Sequence, residues 1–113
     1  MSRRPPRRAT ILPGTLDLLI LRTLVFGPRH GHGIGKHIRH TSEDVLQVEH
    51  GSLYPALQRL ERDGLITSKW SEDARGREMK YYRLTALGRK QLAAEESRWR
   101  QIARAMGRML RPA

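Results

Sequence analysis

The stretch from Thr15 to Phe26 carries Leu16, Leu18, Leu19, Ile20, Leu21, Leu24, Val25 and Phe26, which occupy nearly every side of a 3.6-residue wheel. A helix that is apolar all round must be covered all round. Gly14 precedes it and Gly27-Pro28 ends it. In so short a chain, a second copy is a ready source of cover. A shorter helix is predicted from His32 to His40, followed by turn residues Thr41 to Glu43 and a short apolar scrap at Val45, Gln47 and Val48. The third helix is predicted from Ser52 to Asp63. Leu53, Leu57 and Leu60 recur at i, i+4, i+7, Ser52 suits the N-cap, Pro55 falls in the first turn, and Gly64 ends the helix.

Beyond that point the period changes. Leu65–Ser71 and Met79–Leu84, with Ile66, Trp70, Tyr81 and Tyr82, read as two short strands around a polar tip containing Gly76. Thr85 then suits the cap of a long final helix, Ala86 to Leu110. Its stripe of Leu92, Trp99, Ile102, Met106 and Met109 or Leu110 has little to pack on within a domain of this size. Pairing with another copy is the simplest way to bury it. The expected organisation is a disordered basic arm (1–11), a mainly α winged helix-turn-helix domain of three helices and a two-stranded wing (12–85), and a C-terminal dimerisation helix (86–113). In a winged helix the helix directly before the hairpin enters the major groove.

Charge points to nucleic acid as the expected partner of that arrangement, ahead of an anionic membrane surface. The chain of 113 residues has 22 Lys and Arg against 11 Asp and Glu, a formal charge of +11, which favours a polyanionic partner. The excess is uneven. Residues 1–40 carry eight basic and one acidic side chain and residues 72–113 carry eleven and five, but residues 41–71 carry three and five. Tail, wing and second helix, including Lys36, are therefore expected to supply the main electrostatic contacts. Ser52 and Tyr54 at the start of the third helix suit phosphate contacts, Gln58 and Arg59 suit base edges, and Arg62 lies on the same helix. Arg75, Gly76, Arg77 and Lys80 are the wing candidates.

Other chemistries find little support. There is no cysteine, which removes disulfides, thiolate catalysis and Cys-based zinc sites. Five histidines (His30, His32, His37, His40 and His50) have no obvious carboxylate grouped with them, so no metal is expected. No nucleophile motif or phosphate loop appears, so neither enzyme activity nor a cofactor is expected. No apolar run approaches the ~18–20 residues of a membrane span, and Pro13-Gly14 and Asp17 interrupt any signal-like core. The expected compartment is the cytoplasm. Two alternatives to DNA reading stay open: a winged helix that docks on proteins, and an Arg-rich last helix lying on a membrane surface.

Several blocks in order resemble the PadR family of regulators: Leu12-Pro13-Gly14-Thr15-Leu16-Asp17-Leu18-Leu19-Ile20-Leu21, Gly51-Ser52-Leu53-Tyr54-Pro55-Ala56-Leu57 with Arg59-Leu60-Glu61, Gly64-Leu65-Ile66, and Lys80-Tyr81-Tyr82-Arg83-Leu84-Thr85 with Gly88. The similarity runs from about Leu12 to Trp99, and the single last helix is similar to the short subgroup. The resemblance implies a homodimeric regulator, usually a repressor, on an inverted-repeat DNA operator. It implies a dimer interface from the first and last helices, here Leu16, Leu19, Ile20, Leu92, Trp99, Ile102 and Met106. Some similar proteins release DNA when a small aromatic effector binds, and Trp99 is the residue placed to stack it. One departure stands out: His30-Gly31-His32-Gly33 occupies the place where the family commonly has His-Gly-Tyr-Gly.

Overall fold

A computed structural model describes residues 9–10 and 14–112. Its order is β1 (Ala9–Thr10), α1 (Thr15–Leu24), β2 (Arg29–His30), α2 (Gly31–Thr41), β3 (Leu46–Gln47), α3 (His50–Arg62), β4 (Ile66–Glu72), β5 (Glu78–Leu84) and α4 (Ala86–Met109). The winged-helix order expected from the sequence is present. The wing sheet, however, has three strands in the order β2-β5-β4, all antiparallel. β1 pairs in parallel with β3, so Ala9 and Thr10 join the fold, and the rest of the arm, Met1–Arg8 and Ile11, lies outside the described residues.

α1 is the centre of the core. Its Leu16, Ile20, Leu21 and Leu24 are buried with Ile34 and Ile38 of α2, Leu53, Leu57 and Leu60 of α3, Ile66, Tyr82 and Leu84 of the sheet, and Leu92 of α4. Each buried aliphatic side chain of this kind contributes roughly 1.5–3 kcal/mol. Leu16, Ile20 and Leu92, expected at a contact between copies, are 8%, 0% and 5% exposed within one chain and pack in its core. α2, α3, β5 and α4 cover most of the apolar pattern of α1, whereas Leu18, Leu19 and Val25 are only partly buried and Phe26, just beyond the helix, is exposed.

Two helix ends match their sequence signals. Gly64 adopts φ +77°, a left-handed conformation that closes α3 while the Leu65 amide donates to the Leu60 carbonyl. The Thr85 hydroxyl accepts from the Gly88 amide at 3.0 Å and caps α4. The start of α3 differs from expectation. The helix begins at His50 behind Glu49, whose carbonyl accepts the Ser52 and Leu53 amides. Ser52 is thus inside the helix, and Pro55 is its sixth residue, so the Gly51 carbonyl lacks its usual helical donor.

Candidate nucleic-acid interface

α3 buries Leu53, Ala56, Leu57 and Leu60. At 100° per residue the opposite side is Gly51, Pro55, Gln58 and Arg62, all exposed. This stripe is the outward face of the helix. Arg62 pairs with its neighbour Asp63, at 3.2 Å. Tyr54 sits on the edge nearest the wing, where its ring rests close against the backbone of Gly31 at the start of α2. Ser52 lies on the other edge and is exposed.

Several cations expected to meet a ligand are held inside the chain. Arg59 donates to Asp17 of α1 at 2.6 Å, across 42 positions of sequence. It ties α3 to α1 beside the outward stripe and is not extended from it. Lys80 lies 3.4 Å from Glu61 and 5.5 Å from the centre of the Tyr82 ring. Glu61 also accepts from the Ser68 hydroxyl, so it joins α3 to both wing strands. Burial pushes the Tyr82 phenol above its ordinary pKa, and Lys80 partly opposes this. These links were missed at the sequence level. For Lys80 a signal was present in the acidic surplus of residues 41–71, where Glu61 takes up a cation; for the Arg59–Asp17 pair there was none.

The wing tip is built on Asp73. Its carboxylate accepts from the Arg75 amide at 2.8 Å, the Arg77 amide at 2.9 Å and the Arg77 guanidinium at 3.2 Å. The Arg77 amide, then the Arg75 amide and the guanidinium, hold its pKa below the usual carboxylate value. A lowered pKa means that this stabilisation is present above the unfolded value of 3.8 and is lost as pH falls through the folded value. The Arg75 and Arg77 amide shifts should therefore stay constant from pH 7 to about 4 and move only below that. Asp73→Ala should speed hydrogen exchange at both amides at pH 7, and unchanged exchange would count against this tip geometry. Gly76 and Arg75 remain exposed at the tip. Lys36 on α2 is exposed and has no acidic partner among the described residues.

Beyond Leu92, α4 leaves Trp99, Ile102, Met106, Met109 and Leu110 exposed. Trp99 and Ile102 line a groove of about 360 Å³ with Gly14, Thr15, Leu18, Glu95 and Arg98. Leu19 is half-buried against the core. Among the described residues no group of three His, Asp or Glu side chains suits a metal ion, and no helix is long and apolar enough to cross a membrane. Burial, then Arg29 and His40, lowers the pKa of His37.

Residues 20–94 match the model of the transcriptional regulator PadR-like family. The chain belongs to that family. An uncharacterised protein of Lysinibacillus sphaericus is 32% identical over 95 residues, covering 84% of this chain and 87% of that protein. A PadR family transcription regulator of Clostridium difficile is 34% identical with a TM-score of 0.76, over 87% of this chain and all of that one. A transcriptional regulator of Clostridium thermocellum is 28% identical with a TM-score of 0.79, over 87% and 92% of the two chains. This PadR-like chain is accordingly a transcription regulator, and its four helices and wing are arranged as in the two solved structures.

Proposed function

We propose that the protein is a homodimeric repressor that reads an inverted-repeat operator in duplex DNA, with α3 in the major groove and the wing beside it. The observation that carries this reading is the outward stripe of α3. Gly51, Pro55, Gln58 and Arg62 are exposed on one face, and no other described element covers them. Small residues at Gly51 and Pro55 let the helix approach closely, and Gln58 and Arg62 offer the donors suited to adenine and guanine edges. The exposed apolar stripe of α4 supports pairing of two copies. The groove beside Trp99 supports a flat aromatic effector at the dimer centre, since an exposed indole is a stacking surface. Such a regulator acts in the cytoplasm, where its DNA is.

Selection of bound sequences from a random duplex pool near physiological salt tests the reading. An enriched inverted repeat, with half-sites about one helical turn apart or a multiple of it, supports it. Featureless enrichment overturns it in favour of charge-driven binding. Within the operator, Gln58→Ala should relax base preference at one position of each half-site, a discrimination of about 1–3 kcal/mol. Arg75→Ala should weaken every sequence alike. Arg59→Ala should also leave preference intact, because its guanidinium is bound to Asp17. A changed preference in Arg59→Ala alone would instead make Arg59 the base reader.

A further inference from the structure

The two faces of the wing differ in charge. The β4–β5 register pairs Ile66 with Leu84, Ser68 with Tyr82, Trp70 with Lys80, and Glu72 with Glu78. Ile66, Tyr82 and Leu84 are buried, and Ser68 and Lys80 reach Glu61, so this is the face that looks toward α3. Its one cation, Lys80, is already matched by Glu61. Farther out, Glu72 and Glu78 stand directly opposite each other, with no basic partner among the described residues. A phosphate brought to that face meets two carboxylates.

The other face alternates with it and pairs Thr67 with Arg83, Lys69 with Tyr81, and Ser71 with Met79. An open groove of about 650 Å³ runs along this face, lined by Pro28, Thr67, Lys69, Ser71, Tyr81 and Arg83 together with Ser68 between Thr67 and Lys69. Among the described residues neither Lys69 nor Arg83 has an acidic partner. The two are diagonal neighbours across the strands, with backbones about 7–8 Å apart, a separation that long side chains turn into a grip on neighbouring phosphates. The hydroxyls of Thr67, Ser71 and Tyr81 add neutral donors of the kind that commonly contact phosphate. Arg77 at the tip is held by Asp73, whereas Arg75 has no acidic partner among the described residues and continues the basic line.

We infer that the wing grips the phosphate backbone of duplex DNA with this outer face, through Lys69 and Arg83, and turns its Glu72–Glu78 face away. The inference rests on the DNA-binding reading above. It makes Lys69 and Arg83 backbone contacts and removes Lys80 from that role.

Duplex affinity measured over a salt series tests it with three proteins: the unaltered chain, Lys69→Gln/Arg83→Gln and Glu72→Gln/Glu78→Gln. All four positions are exposed, so thermal melting should show both variants folded. Loss of two phosphate contacts per copy, four per dimer, should lower the slope of log affinity against log salt by about 3.6, equally on operator and unrelated duplex. The glutamate variant should keep the slope and affinity of the unaltered chain. An unchanged slope in Lys69→Gln/Arg83→Gln, or several-fold tighter binding by Glu72→Gln/Glu78→Gln, would overturn the inference while leaving the protein a DNA binder. Failure of the unaltered chain to bind any duplex would sink the DNA reading itself, and this inference with it.

Discussion

Gly88→Ala is expected to remove about 3 kcal/mol or more of stability, a large share of what a domain of this size holds. Local propensity argues the other way, since Ala is favoured over Gly in a helix interior by up to about 1 kcal/mol. Packing decides the sign. A Cβ on Gly88 would stand 2.0 Å from the Leu65 carbonyl oxygen and 2.7 Å from Leu84 Cδ1. The carbonyl cannot swing aside easily, because it accepts the Thr85 amide at 3.2 Å at the corner where α4 begins. The Gly88 amide is itself the group capped by the Thr85 hydroxyl. Relief therefore requires α4 to lift from the α3–β4 junction, which loosens the seat of Leu92. Gly107→Ala is the control on the same helix. Nothing lies within 4 Å of that Cβ, so propensity acts alone and stability should rise by up to about 1 kcal/mol. Denaturant midpoints should move in opposite directions for the two variants. A shared upward shift would mean that α4 does not sit on Leu65 as described.

That junction was half legible. Thr85 as a cap and Gly64 as a stop are local signals, carried by residues one to three positions from the groups they satisfy, and both act as expected. The need for a glycine at position 88 depends on a carbonyl 23 positions earlier, and no local pattern holds that. The same distinction explains the other differences. β2 is two residues long and exists only because Arg29 and His30 pair with Tyr82 and Tyr81. Ser52 and Pro55 imitate a cap and first turn, but the Glu49 carbonyl starts the helix earlier.

For the site, periodicity separated the buried side of α3 from its exposed side, which is enough to nominate Gln58 and Arg62. It gave no warning that Arg59 and Lys80 are matched by Asp17 and Glu61, because those pairs form across elements. Periodicity also marked Leu16, Ile20 and Leu92 as needing cover without saying which neighbour supplies it. α1 is mostly covered within the chain, and the unmet need moves chiefly to the far half of α4.

On the proposed pairing, Ile102→Asp/Met106→Asp should yield a folded monomer whose affinity for the full inverted repeat falls by about 10²–10⁴-fold, while its affinity for one isolated half-site changes little. Ile102 and Met106 are 55% and 52% exposed in the single chain, so polar side chains there disturb no core. The stripe from Trp99 to Leu110 is too much contiguous apolar surface for a monomer to leave in water without reason. Covering it with a second copy would also bring together Arg98, Arg100, Arg104, Arg108 and Arg111, with no acidic residue after Glu96 in either chain. Apolar burial must outweigh that repulsion, which leaves little margin for charge inside the seam. Aspartate is short and cannot reach back to solvent, so each copy would have to bury two carboxylates or stay apart. The half-site measurement corrects for the small loss of positive charge, and light scattering reports the mass directly. A variant that remains dimeric and binds the full repeat as before would show that α4 is not the pairing surface. A variant that becomes monomeric yet loses nothing on the full repeat would show that pairing and operator reading are separate, and the inverted-repeat part of the proposal would fall.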